Sequence, residues 1–250
     1  MSAARPPRAM VLAAGKGTRL QDAGPAVPAL PKPLIPLAGR PVLEHNLKLC
    51  ARHGICEVAI NLHWQPEPIR EFVGEGSRWG LSVTYSVEET LLGTAGGVKR
   101  MERFLADDSF LVIYGDNYTD CDLTALLAQH RASEAWATVA VFDTRAGRYS
   151  GIAGSRVLVA DGGRIVGFEE TRGAVGELES PWTNAGVYAL EPRVLGLIPA
   201  EQEWDFGRDV FPALLETPGR LQAYRHPGFC YALDTPEALR IAEERLASPR

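Results

Sequence analysis

The stretch Ala9-Met10-Val11-Leu12-Ala13-Ala14-Gly15-Lys16-Gly17-Thr18-Arg19-Leu20 runs from an apolar strand pattern straight into a turn. The turn carries two glycines, a lysine, a threonine and an arginine, and Pro31-Lys32-Pro33-Leu34 adds another lysine shortly after. Glycine lets backbone N–H groups approach an anion closely because no Cβ intervenes. Lysine and arginine supply the countercharge that a polyphosphate needs. The plainer reading is a tight turn with solvated charges. The coincidence of strand, both glycines and three basic residues favours a phosphate cradle. It is neither of the common glycine motifs. No Gly-Lys-Ser/Thr stands at P-loop spacing, and Leu20 occupies the place of the third glycine of a dinucleotide fingerprint.

Working outward, apolar runs predict strands over 10–14, 57–62, 81–87, 110–114 and 137–142. Helical spacing predicts helices over 41–53, 66–73, 96–104 and 123–131. This alternation implies an α/β fold, a Rossmann-like, mostly parallel sheet flanked by helices. After Asp143, segments 152–159, 164–169 and 183–190 read as strands with no helix between them, and Asp161-Gly162-Gly163 as a hairpin turn. That predicts a small antiparallel accessory sheet, an insertion over about 144–190 on one edge of the main sheet. Helical patterns return at 192–197 and 209–215, and Pro236 opens a last helix. No linker or repeat divides the chain, so one domain over 1–250 is expected. In parallel sheets ligands bind at the carboxyl ends of the strands. The glycine-rich turn and Gly115-Asp116-Asn117 both fall at such ends.

Asp116 follows a strand expected near the middle of the sheet. A carboxylate there can hold Mg²⁺, which takes hard oxygen ligands and bridges phosphate oxygens. A polar turn is the alternative, and the neighbouring phosphate turn favours the metal. Glu88-Glu89-Thr90-Leu91-Leu92-Gly93-Thr94-Ala95-Gly96-Gly97 also follows a strand. Its glycines permit close approach at a helix start, suited to a base or a ribose; a flexible loop before a capped helix is the alternative. Glu169 can accept bonds from sugar hydroxyls, and Asn184 can offer either end of its amide, or both are ordinary strand residues. His45, His53, His63, His130 and His226 show no ligand spacing, and no Ser-His-Asp or Cys-His order points to a nucleophile.

The string LAAGKGTRL with PKPL resembles the signature of the sugar-phosphate nucleotidyltransferases, which make nucleotide sugars. The resemblance runs from Met10 to about Leu246, and no β-helix domain of the kind some relatives carry is expected. It implies that Leu12, Ala13, Ala14, Gly15, Lys16, Gly17, Thr18 and Arg19 hold a nucleoside triphosphate. Lys32 then lies between the α-phosphate and the attacking phosphate. Gly93, Thr94, Ala95 and Gly96 contact base and ribose, and Asp116 binds Mg²⁺. Asn117, Glu169, Asn184 and Gly186 face the sugar 1-phosphate. Arg19, Lys32 and Asp116 are the implied catalytic residues. The form Leu92-Gly93-Thr94-Ala95-Gly96 resembles guanylyltransferases for mannose and related sugars, which implies GTP and a mannose- or heptose-type sugar phosphate.

Three departures from the pattern stand out. Glu170 replaces a lysine, so it points away from the sugar phosphate or the phosphate is held otherwise. Relatives carry Asp-x-Gly-Thr-Pro near the end, its aspartate a second metal ligand; here Ala232 takes that place and Asp234 the glycine's. Residues two apart on a strand share a face, so Asp234 can still reach a metal, or it caps the helix before Thr235-Pro236. The stretch 21–30 is longer than the usual spacer and reads as a lid. Two rivals remain. One is a transferase of a pyrimidine nucleotide (UTP, dTTP or CTP) onto another phosphorylated substrate. The other is a weakly catalytic nucleotide-sugar-binding regulator, favoured by Glu170 and Ala232 and opposed by Arg19, Lys32 and Asp116.

The whole-chain properties bound these readings. A net charge of −5 argues against a nucleic-acid surface. No apolar run approaches the ~20 residues that span a bilayer, and the first residues lack the apolar stretch of a secretory signal. Cys50, Cys56, Cys121 and Cys230 show no metal spacing and read as reduced thiols of a cytoplasmic protein. Self-association is left open.

Overall fold

In the computed structural model, which describes residues 6–15, 30–146, 155–170 and 179–247, the first strand is β1 (Arg8–Leu12). Ala9 and Val11 enter one hydrophobic cluster and Met10 another, because successive side chains of a strand point to opposite faces. β1 is thus covered on both sides, as its apolar run predicts. The strands that follow are β2 (Pro36–Leu37), β3 (Arg40–Pro41), β4 (Glu57–Leu62), β5 (Ser82–Val87), β6 (Phe110–Tyr114) and β7 (Asn117–Thr119). Then come β8 (Ala137–Asp143), β9 (Arg156–Val159), β10 (Ile165–Glu169), β11 (Trp182–Leu190), β12 (Leu221–Arg225) and β13 (Cys230–Ala232).

β5, β4, β1 and β6 lie side by side and parallel. Helices Val42–Arg52, Pro66–Val73 and Leu123–Ala132 bury one face of this sheet. Helix Gly93–Arg100 and the segments from Val194 to Leu214 bury the other. All four parallel strands therefore end at one edge, where the turns after them converge.

Beyond β6 the order departs from the sequence reading. β11 is not an accessory strand: it lies antiparallel between β6 and β8, and β12 pairs parallel with β8. The reason is burial. Ala185, Val187 and Ala189 enter one cluster and Tyr188 and Leu190 the other, with none exposed. In the interior of the sheet both backbone edges of such a strand are paired, and the clusters above and below hide its two faces. The hairpin β9–β10 is the accessory part, and it joins β11 through Thr183 and Arg156. Thr183 also pairs with β8, so β9 sits on the β6 edge of β11, beyond the end of β6. The hairpin stands at the edge of the main sheet where the parallel strands end. A separate pair, β7 with β13, was not expected, nor was β12.

Helix Gly93–Arg100 starts three residues before the predicted 96, because its first N–H groups find acceptors outside the helix, described below. It stops before Met101, and a short helix Glu102–Leu105 continues. Among the described residues no helix is long and apolar enough to cross a membrane. The four cysteines are free.

Candidate active site

The β1 turn and the β6 turn are drawn together by one bond. Gly115 donates its N–H to the Leu12 carbonyl at 2.8 Å, and a Cβ at Gly115 would stand 2.6 Å from that same oxygen. Glycine is what lets Asp116 follow β6 directly alongside Ala13, Ala14 and Gly15. Gly15 is exposed with open space around it, while Ala13 and Ala14 are buried. The other expected triphosphate residues, Lys16, Gly17, Thr18 and Arg19, and residues 21–29 of the lid expected over 21–30, lie outside the described residues.

Three distant segments meet beside this turn. Lys32 opens a 3-10 turn, Lys32–Leu34, between two prolines, and only 9 % of it is exposed. Its Nζ donates to Asp116 Oδ2 at 2.5 Å and also to Asp234 Oδ1. Asp234 arrives through the β7–β13 pair: Ala232 lies opposite Asn117, and the Leu233 N–H donates to the Asp116 carbonyl at 3.2 Å. Burial by itself lowers the pKa of the Lys32 ammonium, but the two carboxylates outweigh it and leave the pKa raised above the ordinary lysine value. Lys32 is a fixed cation, and the two aspartates present one oxygen each to the same point.

The alternative role for Asp234 is filled by its neighbour. Thr235 Oγ1 accepts the Ala238 N–H at 3.1 Å, so threonine caps helix Pro236–Ala247. Mg²⁺ accepts a pair of carboxylate oxygens and completes its shell with waters and substrate phosphates. The donor set of Asp116 and Asp234 fits that ion, and among the described residues no group of three or more His, Cys, Asp or Glu offers a fuller site.

The glycines of the loop before Gly93–Arg100 have a structural reason that the sequence did not show. Gly93 has φ +72°, and a Cβ there would meet the Trp204 carbonyl oxygen at 2.5 Å. A Cβ on Gly96 would run into the Gln202 carbonyl. Segment 202–206 is clamped on this loop. Trp204 accepts N–H bonds from Ala95 (2.8 Å) and Gly96 (3.1 Å), and Asp205 accepts from the Thr94 N–H (3.0 Å) and hydroxyl (3.1 Å). These are the outside acceptors that start the helix early. Gly93→Ala is expected to cost roughly 1–3 kcal/mol of stability, since it pairs left-handed strain with a backbone collision. Thermal unfolding measures it, and an unchanged melting temperature counts against the clamp.

Both asparagines expected to face the sugar phosphate make internal hydrogen bonds. Asn184 Oδ1 accepts the Gly186 N–H at 2.9 Å and its Nδ2 donates to the Tyr188 hydroxyl at 2.8 Å. Asn117 is buried and donates to the Ala185 carbonyl at 3.0 Å. Both amides shape the irregularity in β11 between Asn184 and Tyr188, where Gly186 takes φ +67° against Tyr114. Each amide therefore has partners within the fold. Glu169 ends β10, half-buried. Glu170 accepts from the Ser155 hydroxyl at 2.6 Å and lies against Gly207. Of the two readings for Glu170, this is the one in which it turns to other partners. Burial pushes the Tyr114 and Tyr188 phenols upward in pKa, so both stay neutral hydrogen-bonding groups.

Sequence reading passed over Asn61, Glu88, Trp204 and Asp205. Asn61 had a signal, a polar residue inside the apolar run Val58-Ala59-Ile60-Asn61-Leu62. Asp205 stands between two aromatics, an acidic residue with a buried neighbourhood.

Residues 8–234 match the family model described as nucleotidyl transferase. The chain belongs to that nucleotidyl transferase family. It is 37 % identical over 222 residues to a UTP–glucose-1-phosphate uridylyltransferase of Synechocystis sp., covering 84 % of this chain and 55 % of that one. A mannose-1-phosphate guanylyltransferase of Mycobacterium tuberculosis is 35 % identical over 233 residues, covering 92 % of this chain and 61 % of the relative. The chain thus spans a little over half the length of these two curated relatives. A Bacillus anthracis structure assigned as a glucose-1-phosphate thymidylyltransferase superposes with TM-score 0.82 at 21 % identity, over 97 % of this chain and 96 % of that one. That likeness establishes the fold of this nucleotidyl transferase family member.

Proposed function

We propose that this nucleotidyl transferase joins a nucleoside triphosphate to a sugar 1-phosphate, giving an NDP-sugar and pyrophosphate. The observation that carries the reading is the meeting of Lys32, Asp116 and Asp234 beside the β1 turn. A sugar phosphate is already anionic near neutral pH, so the reaction needs alignment and charge neutralisation more than a base. One oxygen of the sugar phosphate forms the new bond to the α-phosphorus, and the bond from that phosphorus to the bridging oxygen of pyrophosphate breaks. The turn from Leu12 to Arg19 holds the triphosphate. Lys32 neutralises charge between the two phosphates, held in place by both aspartates. Asp116 and Asp234 would hold Mg²⁺, which supplies charge neutralisation at the phosphates when bound. Glu169 and the backbone at Gly186 face the sugar.

The loop form Leu92-Gly93-Thr94-Ala95-Gly96 favours GTP and a mannose- or heptose-type sugar phosphate, in line with what the mycobacterial relative is named for. The identity to the uridylyltransferase favours UTP as the second reading. A panel of GTP, UTP, dTTP and CTP against several sugar 1-phosphates, scored by pyrophosphate release with Mg²⁺, decides both points. GTP with a mannose- or heptose-type sugar phosphate is expected to give the highest kcat/KM. A higher value with UTP replaces the GTP assignment, and no release with any pair overturns the transferase reading.

A further inference from the structure

Two side chains buried beneath the site tie its phosphate turn to its base loop. Asn61, at the end of β4, is 2 % exposed, and its Oδ1 accepts the Ala13 N–H at 2.8 Å. Its Nδ2 donates to Glu88 Oε1 at 2.7 Å. Glu88, also 2 % exposed, uses Oε2 to accept the Leu92 N–H at 3.0 Å. Ala13 begins the phosphate turn, and Leu92 precedes the first turn of helix Gly93–Arg100. Three hydrogen bonds in series therefore connect the two loops. Gly97 lies against this bridge: a Cβ on it would stand 2.7 Å from both Asn61 Nδ2 and Glu88 Oε1.

We propose that Asn61 and Glu88 are positioning residues that set the separation between the triphosphate turn and the base loop. This rests on the nucleotide reading above. Both Glu88 oxygens and both ends of the Asn61 amide are committed inside the protein, so neither residue touches substrate. Their effect passes through Ala13 and Leu92. A nucleotide bound at both loops has a fixed length, and a buried bridge holds the loops at that spacing before binding, which lowers the ordering cost of association.

The donor and acceptor pattern makes a strict test. In Glu88→Gln one oxygen becomes an NH₂ group that faces a donor, so one bond of the three is lost. In Asn61→Asp two carboxylate oxygens face each other. In the double variant N61D/E88Q the pattern closes again. Asp accepts from Ala13 and from the Gln amide, and the Gln oxygen accepts from Leu92.

The four proteins are compared by steady-state kinetics and by hydrogen exchange at the Ala13 and Leu92 amides. Each single variant is expected to raise the triphosphate KM at least ~10-fold while leaving the sugar-phosphate KM near the parent value. The double variant is expected to lie closer to the parent than either single one in both KM and amide protection. Gly97→Ala, which presses on the bridge without changing its polar groups, is expected to raise the same KM. Single variants with the parent triphosphate KM, or a double variant no better than its parents, overturn the bridge. A parent that releases no pyrophosphate overturns the transferase reading instead, and the amide exchange then still reports whether the bridge holds the two loops.

Discussion

Asp116→Asn is expected to cut turnover at least ~10³-fold, and Asp234→Asn by a comparable factor. The two carboxylates each give an oxygen to one ammonium, Lys32 Nζ. A divalent ion shared by them loses a charged ligand in either variant, at the place where phosphate charge gathers. Asparagine keeps the shape and one acceptor oxygen for Lys32, so the fold should survive, with the melting temperature moving by no more than about 4 °C. Both variants should demand more Mg²⁺ for what activity remains. The helix-capping explanation cannot account for a loss at Asp234, because Thr235 performs the cap. Parent-like activity in Asp234→Asn, beside a dead Asp116→Asn, removes Asp234 from the metal site.

Lys32→Ala is expected to lower kcat ~10²-fold or more, as loss of a charge aimed at the transition state does. It acts on stability as well. Lys32 is almost wholly buried, and its removal leaves two half-buried carboxylates facing each other. Breaking such a cluster costs roughly 1–3 kcal/mol once partial exposure is allowed for. Mg²⁺ should then raise the melting temperature of Lys32→Ala more than that of the parent, since the ion takes over part of the ammonium's task. Calorimetry with and without Mg²⁺ separates this from a general loss of structure. Unchanged pyrophosphate release in Lys32→Ala removes the lysine from the mechanism.

The site was legible in the sequence where its chemistry is local. Gly115-Asp116 directly after an apolar strand, and Lys32 in a proline-framed turn, could be placed because each depends on its immediate neighbours. The glycines of 93–97 were found, but not the neighbours that require them. Local sequence shows that a Cβ is unwelcome, and only the packed chain shows that Trp204, Gln202, Asn61 and Glu88 are what it would strike. Asn117 and Asn184 were visible as polar residues near the strand ends. Their amides are engaged by Ala185, Gly186 and Tyr188 because the β11 irregularity leaves backbone groups that need partners. Asp205 was passed over because its partner, Thr94, lies far away in the chain.

By itself the sequence determined the parallel half of the sheet, because apolar runs of strand length alternating with helical spacing leave few other ways to bury both faces. It also placed a glycine-rich, basic turn directly after β1, through residues within one short stretch. Tertiary structure decided the rest. β11 entered the middle of the sheet because β6 and β8 pair its backbone edges there while the two clusters above and below bury its apolar faces. Asp234 joined Asp116 because β13 pairs with β7, and the Asn61–Glu88 bridge formed because β4 and β5 are neighbours in the sheet. Each of these depends on a pairing between distant segments, and such pairings are settled by the burial and hydrogen-bond demands of the whole fold, which no local spacing records.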